Sequence, residues 1–540
     1  MPWGIIDVEV ETHLPGTAVL VDSIGSGDIS HLKHRVVKGE NLVLIPQPSD
    51  DPNDPLNWPQ WKKETVFAVV FINTIIMAAV PAPLLASSLT VLAQVFQRPL
   101  TQITQLSGYQ VLITAVLGPV VSALAHKFGK RPQFLFASTM GIIGAIVCIV
   151  CGDSYNGLLA GRLIQGLGTT AYESLSLSVL GDIYFVHERA TRTGLVVLTL
   201  TCMSAFVSIV SGPITNNLGW KYMFIINLPF VLVGAIGVFF WLPETQFKSA
   251  IPEQPTVQEF SEAHIKEISL EHVEASETTE RQPAYVMRPY VQSLALTSGV
   301  YPGSFFKSLV APFVTAINPA VIWAILVGGI PVGFFGSLAY ILAQIWGAPP
   351  YNYNASQIGY FYVGALLGGL FGGVAGAKLC DASSHAMVKR NNGVFEAEFR
   401  IIIQAMGAVL VAIGYFVFMW ALSTDQAEAY YIGSVCHGLI CAGVTITSTS
   451  SSLYIIDAHH GHETEIFILL MCIKNFMFYS FSYFMNDWAT KSGPATIFEV
   501  WGIATLGLLV TNFPMYIFGK VNRQFVSKVQ VLQNYAGVYS

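Results

Sequence analysis

Apolar stretches of about 20 residues recur along this 540-residue sequence, each long enough to cross a bilayer as a helix. Twelve satisfy that length rule: 65–87, 108–126, 133–152, 158–180, 192–213, 222–243, 319–344, 357–379, 400–421, 429–454, 465–487 and 494–518. In hydrocarbon every backbone polar group must be satisfied within the protein, and runs of this length do so as helices. Charged residues are 11% of the chain and hydrophobic ones 53%, against about 25% charged in soluble domains. The expected fold is therefore an all-α membrane protein of twelve transmembrane helices in two six-helix bundles. The net charge of -6 sits in tails and loops, and nothing suggests a nucleic-acid surface.

A hydrophilic break separates the first six runs from the last six. The expected organisation is a cytoplasmic N-terminal tail over 1–60, a bundle over 61–243, a largely disordered cytoplasmic linker over 244–318, a bundle over 319–519 and a cytoplasmic tail over 520–540. The linker is rich in glutamate and poor in apolar runs. Residues 1–25 lack the basic start and apolar core of a secretory signal. Lys127, Lys130, Arg131, Arg189, Arg192, Lys389, Arg390 and Arg400 gather on one set of loops, which the positive-inside rule places in the cytoplasm with both termini. Asn354-Ala355-Ser356 is a glycosylation sequon in a loop that then faces outward. Two like halves are the plan of many carriers, whose substrate site lies at mid-membrane between them.

The run 158–180 carries Arg162 and Glu173, eleven residues or about three helical turns apart. Gln165, Thr169 and Ser176 fall on the same face, which is expected to line a cavity. An acid in mid-span marks an ion or substrate path by default, whereas Arg162 also suits snorkelling at the membrane surface. Asn73, Asn227, His437, Lys474 and Asn475 are costly in lipid and serve equally as helix–helix hydrogen bonds or ligand contacts. Tyr340, Gln344 and Trp346 form either a wall of the cavity or an interfacial aromatic belt. His459, His460 and His462 are read as solvated loop residues, and no metal site or cofactor is expected. No G-x-x-x-x-G-K-[ST] loop is present to cradle a nucleotide phosphate.

Between the second and third runs comes GPVVSALAHKFGKRPQF, with Gly129, Lys130 and Arg131 in a tight basic turn. This resembles the loop motif of the major facilitator superfamily, whose usual form is close to G-x-x-x-D-R-x-G-R-R. His126 stands where the family has Asp, so the bracing acid is missing or supplied elsewhere. Asp381, in the matching stretch of the second half, is a candidate for that role. GRLIQGLG with Arg162, GDIYFVHERATR with Asp182 and Arg189, SGPITNNLGW and the LPET ending the first half resemble fungal drug:proton antiporters of the superfamily. Asn216 and Asn217 replace two glycines of the fifth-helix antiporter motif.

The resemblance implies a proton-coupled secondary transporter, not an enzyme, working by alternating access on a small organic compound. Export of a drug or fungal metabolite, as by an efflux pump or proton antiporter, is the first expectation. Uptake of a small organic cation or nutrient is the alternative, and a non-transporting sensor a remoter one. Glu173 and Arg162 are expected to couple protons. The partners implied are substrate, protons and lipid, with the chain a monomer in the plasma membrane or the vacuolar membrane.

Overall fold

A computed structural model describes residues 4–6, 16–19, 34–37, 40–43, 49, 51–247, 289–296, 299–301, 303–391, 394–424, 428–459 and 462–533. Twelve long helices dominate it: α1 (Gln60–Thr74, continued by a π-helical turn Ile75–Ala79), α2 (Leu100–Phe128), α3 (Arg131–Val150), α4 (Tyr155–Ser174), α5 (Val186–Asn217) and α6 (Lys221–Trp241) form the first half. The second half comprises α7 (Pro319–Gly347), α8 (Ala355–Arg390), α9 (Ala397–Ser423), α10 (Ala429–Ala458), α11 (Glu463–Ser492) and α12 (Pro494–Lys528). Ten of these are long and apolar enough to cross a membrane, and the protein is a multi-pass membrane protein. The other two are α1 and α4, each interrupted by polar residues.

Packing repeats between the halves. In the first, α4 lies against α2 and α3, and α3 against α6. In the second, α10 lies against α8 and α9, and α9 against α12. A shift of six helices turns one set into the other. The same shift exchanges the two seams that join the halves, α2 with α11 and α5 with α8. Glycines set the closeness: Gly368 and Gly372 let α8 touch the backbone of α10 at Gly438 and Ala442, while Gly369 and Gly373 face Cys202 and Leu198 of α5.

The two ends of the bundle differ. Away from the chain termini, one apolar core spans both halves, joining Leu85, Leu89, Leu92 and Ile103 with Leu338, Ile341, Trp346, Phe361 and Phe498. Toward the termini each half keeps its own core. Val66, Phe134, Tyr172 and Val238 belong to the first, and Val321, Ile401, Tyr454 and Leu509 to the second. The large apolar core that both halves share therefore lies at the face away from the termini.

One sequence expectation needs correction, and two segments outside the bundles show further structure. The run 158–180 is not one helix, since α4 ends at Ser174 and a separate helix, Ser176–Ile183, follows Leu175. Part of the N-terminal tail packs on the second half. Ile5 is fully buried against Met387, Val388 and Phe399, and β1 (Thr17–Val19) pairs antiparallel with a strand at Val394–Glu396 in the second half. The linker 244–318 holds a helix at Phe305–Val314, and its glutamate-rich stretch 248–288 lies outside the described residues.

Candidate functional site

Glu173 sits in the last turn of α4, one residue before that helix ends. Across the interface, the middle of α11 presents Lys474 and Asn475. Lys474 Nζ lies 2.7 Å from Glu173 Oε1, and Asn475 Nδ2 donates to Glu173 Oε2 at 3.2 Å. Both charged side chains keep some exposure, 18% for Glu173 and 28% for Lys474. The pair joins α4 of the first half to α11 of the second.

Arg162 is not part of this pair, although helical spacing puts it on the face of Glu173. It is fully buried, and its guanidinium donates to Pro81 O at 2.7 Å, Gln165 Oε1 at 3.1 Å and Ser107 Oγ at 3.3 Å. Proline cannot continue the hydrogen-bond ladder, and Pro81 and Pro83 end the regular part of α1, leaving the Pro81 carbonyl to accept from Arg162. Nε of Arg162 has no partner, nor have the amide atoms of Gln110 on α2. Thr169 is committed to Met77 O and Gln165 O, and Ser176 falls beyond the break in α4.

Other expected cavity residues are dispersed. Asn73 donates to Val69 O within α1, with Oδ1 buried and unpartnered. Asn227 and Gln165 line a cavity inside the first half with Met77 and Gly168. Gln344 donates to Thr490 Oγ1 at the end away from the termini. Trp346 and Tyr340 are packed in the apolar core shared by the halves, so they close that end rather than line an open site. His437 is enclosed by Phe335, Phe361 and Tyr362. Asn354 caps the N-terminus of α8, its side-chain oxygen accepting from Gln357 N. No His, Cys, Asp and Glu group among the described residues could hold a metal ion, and His460 lies outside them.

The basic turn at the terminal face is braced by an acid the sequence reading did not assign. Glu244, from the LPET segment, accepts the backbone N–H groups of Lys130 and Arg131 at 3.0 and 3.1 Å, and those of Thr245 and Gln246 at 3.0 Å each. Lys130 Nζ meets Asp182 Oδ2 at 2.5 Å and Ser178 O at 3.1 Å. Arg131 caps the C-terminal end of α6 by donating to Phe239 O and Leu242 O, where free carbonyls and the helix dipole favour a cation. Burial pushes the Glu244 carboxyl above its ordinary value, against the downward pull of the N–H groups it accepts. In the second half Asp381 pairs with Arg400, which also binds Asp457 at 2.8 Å, so Asp381 serves its own half. The Arg189 side chain lies outside the described ones.

Two like bundles joined by a charge pair follow the plan of many membrane carriers. The Major Facilitator Superfamily model matches residues 65–465, and the chain belongs to that superfamily. It is 23% identical over 554 residues to an uncharacterized MFS-type transporter of Schizosaccharomyces pombe, covering 95% of this chain and 93% of that one. It is 24% identical over 419 residues to the multidrug transporter AQR1 of Candida glabrata, covering 74% and 67%. A solved D-xylose-proton symporter shares the fold with a TM-score of 0.57 at 13% identity, over 84% of this chain and 98% of that one.

Proposed function

We propose that this transporter draws on the proton gradient to move a small organic compound, and that Glu173 is the group that takes up and gives up the proton. The observation carrying this reading is the Glu173–Lys474 pair between the halves. A carboxylate there attracts the opposite half, and a protonated carboxyl does not. Leaving one partner of a buried pair uncompensated costs about 3–5 kcal/mol, less where water reaches it. That is enough to bias which end of the bundle is open. Each proton crossing a 100 mV potential supplies about 2.3 kcal/mol to drive the cycle.

On this reading both termini and the basic loops are cytoplasmic, the membrane is the plasma membrane, and the chain acts as a monomer open toward the cytoplasm. The tail 1–60, the linker 244–318 and the tail 520–540 then share that side, and the exposed Asn354 faces outward, available for glycosylation. Export is the direction that the efflux and multidrug relatives support. Uptake together with a proton has one observation in its favour. Lys474 already occupies the carboxylate that a cationic drug would exchange for a proton. Accumulation in intact cells decides direction, since loss of the protein raises internal compound under export and lowers it under uptake.

The proton role is tested with Glu173→Gln in proteoliposomes under an imposed pH step, with an internal pH dye. Loss of compound-dependent proton movement with normal insertion supports the reading. Unchanged movement overturns it.

A further inference from the structure

Lys474 and Asn475 already hold a carboxylate, that of Glu173, one donor to each oxygen at 2.7 and 3.2 Å. Neighbouring donors of this kind make a cradle for a planar, two-oxygen anion, and a charge-assisted hydrogen bond of the Lys–carboxylate type is the stronger sort. Lys474 keeps 28% of its side-chain exposure, so the cradle is not sealed within the packed helices.

Charge counting decides what enters. The charged groups at this contact are Glu173 and Lys474, one carboxylate and one cation, so the pair is neutral as it stands. A cationic compound bound at Glu173 must displace Lys474, leaving two ammonium groups facing one carboxylate. An anionic compound bound at Lys474 while Glu173 is protonated replaces like with like and leaves no new charge unpaired.

We infer that the Lys474–Asn475 cradle binds a carboxylate group of the transported compound, which takes the place of the Glu173 carboxylate when Glu173 is protonated. This rests on the reading of Glu173 as the proton site. The titratable groups facing Glu173 are Lys474 and, within electrostatic reach on the same helix, Cys472, whose thiol is occupied with Ala115 O. In the exchange, a hydronium ion gives its proton to a Glu173 oxygen and leaves as water, Lys474 stays an ammonium, and the compound's carboxylate accepts from Lys474 Nζ and Asn475 Nδ2. Compound and proton then ride together, which is symport.

The test uses the full purified chain and four probes that share one ring and differ in charge: phenylacetate, benzylamine, phenylalanine and benzyl alcohol. Binding at millimolar concentration is followed by thermal shift, and proton uptake by a pH indicator in weak buffer. The expected result is stabilisation by the two carboxylate-bearing probes and not by benzylamine or benzyl alcohol. Binding should weaken at least about tenfold in Lys474→Gln, the loss of one charge-assisted hydrogen bond, with partial retention in Lys474→Arg. Preference for benzylamine, carboxylate binding indifferent to Lys474→Gln, or no binding of either carboxylate probe overturns the substrate class.

The outcome for Glu173→Gln is separate. Carboxylate binding that persists while proton uptake disappears supports both readings. Proton uptake that persists in Glu173→Gln sinks the proton reading alone.

Discussion

Gly129 and Glu244 are fitted to each other. Gly129 adopts a φ of +96°, and a Cβ built on it would stand 2.2 Å from Glu244 Oε2. Gly129→Ala combines a left-handed backbone with a collision, so it should cost about 1–3 kcal/mol and loosen the turn. Faster amide exchange at Lys130 and Arg131, whose N–H groups bond to Glu244, is the readout. Unchanged exchange in a folded variant would show that the turn does not depend on this contact.

Glu244 also predicts a pH dependence. Its carboxyl is raised above 4.5, first by burial, so the folded chain binds the proton more tightly than the unfolded one. The stability this contributes is complete below the unfolded value and is lost as pH rises through the folded one. Glu244→Gln does not titrate. The margin in melting temperature of the natural chain over that variant should therefore shrink as pH rises through this window. A margin that widens would mean that the four N–H donors outweigh burial.

Exchanging the charges of the central pair tests its geometry. Glu173→Lys or Lys474→Glu alone places like charges where the halves meet, and each should abolish transport. The double variant restores opposite charges across the same gap and should recover thermal stability toward that of the natural chain. Stability effects that merely add would show that the two residues do not interact in the resting protein.

Arg523 holds a buried cluster at the terminal face. Its guanidinium binds Glu396 at 2.7 Å, Glu398 at 2.8 Å and Thr17 Oγ1 at 2.9 Å, and all three charged residues are at most 2% exposed. Arg523→Met leaves two buried carboxylates with Lys520 alone, and should cost about 3–5 kcal/mol. It should also release the strand at Thr17–Val19, making the N-terminal segment cleavable by added protease before the helices unfold.

Much of the site was visible residue by residue and little of it as pairs. Glu173 and Lys474 each stood out because an ionisable group in an apolar run is costly, yet 301 residues separate them and no local pattern couples them. Arg162 and Glu173 looked like partners because helical periodicity gives the face of a side chain. It does not give what the neighbouring helix offers, and the carbonyl at Pro81 took Arg162. The bracing acid absent near His126 was in plain sight in LPET, but a contact across 114 residues has no sequence signal.

The sequence by itself determined the number of spans, their division into two sixes and the family, because lipid leaves an apolar run of this length no choice but a helix. Only the tertiary structure decided which end of the bundle is closed, where the N-terminal strand lies and which charge meets which. Those outcomes depend on shared burial and on distances between helices far apart in the chain, quantities that no single run of residues contains.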